Sequence, residues 1–139
     1  MLGEENHITR LGGLARTSEL YALGFWQSLL QASERYGTII RVRRGWWATP
    51  DTPEIAVEAR RAGGRLACVS ALEFYGEAQP DVLLHVALDR SAKTPDGKYV
   101  VAHWSREKLP GTRLAVSVEV AREQARSCVY NQSRFLNET

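Results

Sequence analysis

Residues 14–48 read LARTSELYALGFWQSLLQASERYGTIIRVRRGWWA. Thr17 is placed to cap a short helix, with Glu19 set to meet its positive end, and Leu20, Tyr21 and Leu23 follow. Gly24 can take the left-handed conformation that stops this helix and turns the chain. Over residues 25–36, Phe25, Leu29, Leu30 and Tyr36 fit a core-facing helical stripe. Gln27, Ser28, Gln31, Ala32 and Arg35 fall mainly on the opposite face. Residues 38–42 are β-branched and alternating, Arg43, Arg44 and Gly45 form a turn, and Trp46, Trp47 and Ala48 return as a strand. Helix, tight turn, helix and two-stranded ribbon is the order of a winged helix-turn-helix, whose second helix enters a DNA major groove.

On the N-terminal side, residues 2–12 are expected to form a helix anchored by Leu2, Ile8 and Leu11 and ended by Gly12 and Gly13. On the other side, residues 49–53 (TPDTP) close the unit as a loop. A helix is expected over 54–62, with Arg60 and Arg61 complementing its C-terminal dipole. After Gly63 and Gly64, residues 66–76 suit a short buried helix in which Ser70 is a possible cap. Residues 82–88 (VLLHVAL) and 99–104 (YVVAHW) read as strands on either side of a polar loop. Residues 118–130 look helical. The fold class is α+β: an N-terminal winged helix-turn-helix over 1–53, a small α/β extension over 54–130, and a C-terminal tail over 131–139.

The 139 residues, 44% of them hydrophobic, suffice for one domain or two very small ones. No run of about 18 apolar residues is present, so no membrane span is expected. The acidic N-terminus argues against a secretory signal, and the expected location is the cytoplasm. Residues 1–66 hold nine basic residues, all arginine, against seven acids, whereas 67–139 hold nine of each. Arginine suits bidentate contact with phosphate or guanine, but a net charge of +2 is too small to prove a nucleic-acid partner. Cys68 and Cys128 are expected to be small buried hydrophobes in a reducing cytosol. Neither has a metal-spaced partner, so no zinc site or disulfide framework is expected.

Five blocks resemble one family: GGLARTSELYALGF, RVRRGWWATPDTPE, GGRLACVSALEFYG, LLHVALDRSAK and VVAHWSR. In this order, over roughly residues 10–125, they resemble the N-terminal region of AbiEi-type antitoxins and transcriptional regulators of actinobacteria and their phages. The resemblance implies a winged helix-turn-helix that binds operator DNA and, in antitoxin systems, represses the gene pair encoding it. It also implies a possible toxin partner. The larger C-terminal domain that opposes a nucleotidyltransferase toxin in full-length antitoxins, and the nuclease-like domain of some relatives, are expected to be lacking here.

The expected DNA contacts are Arg16, Thr17, Trp26, Gln27, Ser28, Gln31, Arg35, Arg41, Arg43 and Arg44. Glutamine suits bidentate contact with adenine and Ala32 suits a thymine methyl; an ordinary solvated helix face is the plainer reading of these residues. Arg41, Arg43 and Arg44 suit phosphate or the minor groove, or merely keep an edge strand soluble. Arg16 and Thr17 start a helix, where a phosphate can be held. Of Trp46 and Trp47, on alternate strand faces, one belongs to the core. Arg60, Arg61 and Arg65 are weaker extensions of the basic surface.

No catalytic residues, metal or cofactor are expected. His7, His85 and His103 lack ligand spacing, and Asp81, Asp89 and Asp96 lie in loops or at strand ends. No phosphate-binding glycine loop or nucleophile elbow is present. His85 and His103 lie on candidate neighbouring strands, where a pair of satisfied sheet histidines is expected. The function expected is sequence-specific repression, as a phage repressor or antitoxin-like autoregulator. The protein would bind its double-stranded DNA operator as a monomer on an asymmetric site or as a homodimer on an inverted repeat. The alternative is a module that binds a toxin or another regulator through its aromatics.

Overall fold

Gly24 has φ +98°, and the chain turns there between two helices, as its lack of a Cβ allows. In the computed structural model, which describes residues 3–89, 93, 95, 97 and 99–130, these helices are α2 (Thr17–Ala22) and α3 (Gln27–Arg35). They follow α1 (Glu4–Arg10) and a short strand β1 (Leu14–Arg16), and they precede β2 (Ile40–Arg43) and β3 (Trp46–Ala48). The three strands form an antiparallel sheet in the order β1-β3-β2. The chain divides into two compact units, Met1–Val57 and Glu58–Thr139. The division falls inside α4 (Glu54–Arg61) rather than before it.

In the first unit, Ile8, Ala15, Leu20, Phe25, Leu30, Ile39 and Trp47 form one core cluster, with Leu11 and Leu29 against it. Polar ties fix its edges. The Ser33 hydroxyl donates to the buried Glu4 carboxylate at 3.0 Å, joining α3 to α1. The Thr52 hydroxyl donates to the Gly13 carbonyl at 2.7 Å and accepts from the Thr49 N–H, so the loop after β3 closes on the end of α1.

The second unit holds β4 (Gly64–Leu66), α5 (Cys68–Phe74), β5 (Leu84–Leu88), β6 (Val100–His103) and α6 (Val118–Ser127). Its sheet order is β4-β5-β6, antiparallel then parallel. Helix α5 packs on α6 and on β5. The Ser117 hydroxyl caps α6 by accepting from the Val120 N–H, and the Tyr75 hydroxyl donates to the Val116 carbonyl at 2.8 Å. The molecule is thus mixed α+β, with six helices and two small sheets among the described residues.

Several expectations are corrected. Strand β1 is absent from the sequence pattern, because three residues are too short to show an alternation. Helix α3 begins at Gln27, with Phe25 buried in the turn before it and Trp26 at the N-cap position. Tyr36, expected in the core stripe, is 86% exposed because it lies past the last helical residue, where the helical period no longer applies. The hairpin turn is Arg44 and Gly45, with Arg43 still in β2. Ser70 caps nothing; it sits inside α5, where its hydroxyl accepts from the His85 N–H. Gly64 opens a strand instead of merely breaking a helix. Leu2 and the tail over 131–139 lie outside the described residues.

Gly64 lies so close to β5 that a Cβ there would sit 2.0 Å from the Ala87 carbonyl oxygen. The obstacle is backbone and cannot swing aside. Gly64→Ala is expected to destabilise the chain by about 1–3 kcal/mol, read as a lowered urea midpoint with little change in slope.

Candidate nucleic-acid interface and a buried histidine-cysteine cluster

The first unit has an exposed polar face on α3. At 100° per residue, Gln27, Ser28, Gln31, Glu34 and Arg35 share one arc with Gln31 near its middle, and all five are exposed. Leu29, Leu30, Ala32 and Ser33 occupy the opposite arc and are buried or half-buried. Ala32 therefore leaves the set of accessible residues. Glu34 joins that face, so it is not uniformly basic. Trp26, at the N-cap with an extended backbone, is 56% exposed.

Six arginines and six acids share residues 1–57, but residues 35–50 carry four of those arginines and no acid. Arg35 ends α3, and Arg41, Arg43 and Arg44 lie on the β2–β3 hairpin, all exposed. The charge of this unit is therefore segregated rather than large. Pairing across the sheet sets Arg16, Trp46 and Arg43 abreast on three strands. The Arg16 guanidinium carbon lies 4.8 Å from the centre of the Trp46 ring, a cation–π contact. Trp47 takes the buried face, as alternation requires.

The start of α2 differs from the expectation of a phosphate site. The residue at the N-cap position is Arg16, not Thr17, and its backbone N–H donates to the Glu19 carboxylate at 2.9 Å. That carboxylate already complements the helix end. The Thr17 hydroxyl accepts from the Trp47 Nε1–H at 2.8 Å. The Thr17 hydroxyl and the Arg16 backbone N–H thus have partners within the chain.

The weaker basic extension also changes meaning. Arg60 lies in the last turn of α4, as expected, but it is buried at 4% exposure and donates to the Asp89 carboxylate at 2.6 Å, so an ion pair holds it as well as the helix dipole. Arg65 donates to the backbone carbonyls of Leu109 and Thr112 and fastens that loop. Arg61 remains exposed.

A cluster in the second unit goes beyond the expected histidine pair. Cys68, His85, His103 and Cys128 converge, with one ligand-capable atom from each lying within 4.8 Å of all the others. His85 Nδ1 and His103 Nε2 are 3.0 Å apart, and Cys128 Sγ is 3.8 Å and 4.0 Å from these nitrogens. The histidines do meet, on adjacent parallel strands, but as half of a four-residue set. Cys68 opens α5 and Cys128 directly follows α6. Burial raises the Cys68 thiol to about 12, with Cys128 reinforcing the shift and the Val69 N–H opposing it. Burial lowers the His85 imidazole to about 4, with His103 adding to the effect, and burial lowers His103 as well. Sequence spacing hides the set, because 18 and 25 residues separate its successive members from His85 onward. The only signal in the sequence is that two cysteines and two strand histidines fall in one half of the chain.

No family model matches the chain, and no curated protein matches it. Among the described residues, no helix is long and apolar enough to cross a membrane.

The Thr17–Trp47 bond yields a direct check. Thr17→Val removes the acceptor and leaves a part-buried indole N–H unpaired, a loss of about 1–3 kcal/mol. Urea unfolding followed by tryptophan fluorescence is expected to show the loss, whereas Thr17→Ser should keep most of the stability.

Proposed function

We propose that the first unit is a winged helix-turn-helix that binds double-stranded DNA in a sequence-specific manner and represses transcription by occupying a promoter. The observation that carries this reading is the exposed arc of Gln27, Ser28, Gln31 and Arg35, followed in the chain by an acid-free hairpin bearing Arg41, Arg43 and Arg44. The four-residue turn between α2 and α3, with glycine in it, is of helix-turn-helix type. A sheet ordered β1-β3-β2 with a basic β2–β3 hairpin suits a wing.

In this reading α3 lies in the major groove. Gln27 and Gln31 offer donor–acceptor pairs that match the adenine edge, and Arg35 reaches guanine or phosphate. The hairpin arginines neutralise backbone phosphates and set the register without reading sequence. Glu34 on the same arc lowers indiscriminate phosphate attraction, which favours recognition of particular bases. Repression then needs only occupancy, by a monomer on an asymmetric site or by a homodimer on an inverted repeat.

A second reading has its own support. Tyr21, Leu23, Trp26 and Tyr36 expose 46%, 49%, 56% and 86% of their surfaces in this unit. A protein partner, such as a toxin or another regulator, would bind through the aromatic anchors Tyr21, Trp26 and Tyr36, with Leu23 beside them in sequence.

Fluorescence anisotropy with labelled duplex over a range of salt concentrations separates the two. Arg43→Ala/Arg44→Ala is expected to weaken binding on all sequences. It should also reduce the slope of log affinity against log salt by roughly 1 for each phosphate that is no longer neutralised. Gln31→Ala is expected to cost about 1–3 kcal/mol on the preferred site and little elsewhere. Binding to duplex that is indifferent to both changes would sink the DNA reading. Trp26→Ala would then be the variant to test against protein partners.

A further inference from the structure

We propose that Cys68, His85, His103 and Cys128 form a structural zinc site, with ligand atoms Sγ, Nδ1, Nε2 and Sγ, that staples the second unit together. Two thiolates and two imidazoles are a donor set that zinc takes in closed tetrahedral sites. Zinc–nitrogen bonds of about 2.0–2.1 Å and zinc–sulfur bonds of about 2.3 Å give tetrahedral edges of about 3.3 Å between nitrogens and about 3.5 Å between nitrogen and sulfur. The separations among the His85, His103 and Cys128 atoms are 3.0, 3.8 and 4.0 Å, and all four ligand atoms lie within 4.8 Å of one another. Shifts of a few tenths of an ångström bring the first three onto the tetrahedron, and a movement of up to about 1 Å closes Cys68 Sγ onto it.

The surroundings fit a held ion better than four idle side chains. Cys68, His85 and Cys128 are buried and His103 is half-buried. One shared ring proton satisfies the two facing imidazole nitrogens, and the sulfur contacts at 3.8 and 4.0 Å are long for hydrogen bonds. Zinc binding displaces the two thiol protons to solvent and moves the shared ring proton to the other nitrogen of the imidazole that carries it. Both rings stay neutral, and the two thiolates cancel the ion's charge. The loaded site is electrically neutral, which is what a buried position requires.

The backbone is arranged to present these groups. Cys68 has φ +52° and is the sole non-glycine residue at positive φ among those described. Strain of this kind collects at functional positions. The Cys68 N–H donates to the Gln124 side-chain oxygen at 2.9 Å, and Gln124 lies one helical turn before Cys128. His85 is fixed from both sides, its N–H donating to the Ser70 hydroxyl and its carbonyl accepting from the Ala67 N–H. Four protein ligands complete the tetrahedron and leave no position for an activated water, so the role is structural.

A reason for the staple lies in the core. The fully buried residues of this unit are largely alanine and valine, with Leu66 the one large aliphatic side chain at 0% exposure among those described. A small unit with such a core gains from a cross-link. Coordination joins α5, β5, β6 and the end of α6, which come from across the second half of the sequence.

The test uses the full chain, purified under reducing conditions without chelator or an immobilised-metal column. Elemental analysis should find about one zinc per chain, and both thiols should resist a thiol reagent until chelator is added. Cobalt added to the stripped protein should give tetrahedral d–d bands and thiolate charge-transfer absorption that saturate at one equivalent. Cys128→Ser should lose roughly half of that charge-transfer intensity. Gln124→Ala keeps all four ligands, so it should retain the spectrum while binding roughly ten-fold more weakly. If stripping unfolds the chain, zinc and not magnesium should restore the fold. A folded, reduced chain that carries no zinc and gives no thiolate–cobalt bands overturns the site, as does cobalt bound with both thiols still reactive.

Discussion

The strand β3 is paired on both edges, and the first unit depends on that position. Its register against β1 and β2 puts Trp47 into the core and Trp46 onto the exposed side of the same ribbon. The Trp47 indole joins the cluster that holds Leu20, Leu30 and Ile39, while its N–H reaches back to Thr17 at the start of α2. One side chain thus ties the sheet to the helix before the turn. Its neighbour Trp46 supports the Arg16 guanidinium beside Arg43. A one-residue slip of β3 would exchange these roles and bring the core face to solvent, so the exposed basic surface and the buried core are set by one pairing.

The second unit is held by a different kind of constraint. Its fully buried apolar side chains are largely alanine and valine, and its fixed points are polar: buried Arg60 on half-exposed Asp89, Arg65 on two carbonyls, the Tyr75 hydroxyl on Val116, and the histidine-cysteine cluster. Charged and hydrogen-bonding groups are buried at a cost unless each finds a partner. The Asp89 carboxylate gives Arg60 Nη1 a partner, and the proposed ion would give one to the four ligand atoms of the cluster. Removing Asp89 would strand the buried Arg60 guanidinium without its ion-pair partner.

Much of the first unit is legible because its signals are local. Gly24 between two apolar-periodic runs, the polar arc of α3, and β-branched residues leading to Arg44 and Gly45 are all written within a few residues of one another. Pattern misleads where distant chain decides. Strand β1 has three residues and exists through pairing with β3. Thr17 has the residue type of a cap, whereas Trp47, thirty residues away, sets its role. Arg60 has the position of a dipole partner, but Asp89 comes beside it, and Ser70 has the type of a cap, but His85 takes its hydroxyl. The same limit hides the four-residue cluster, since metal-ligand spacing rules describe ligands on one turn or knuckle. The α+β class follows from local pattern; the partners of buried polar groups do not.

The central claim is that the first unit reads DNA sequence. It is tested most directly by selecting binding sites from random duplex DNA with the full chain at moderate salt. Recognition by α3 predicts enrichment of one motif, with symmetry that reports the binding form: a single asymmetric site for a monomer, or half-sites a helical turn apart for a dimer. A folded, monodisperse protein that enriches no motif over several rounds would contradict the claim.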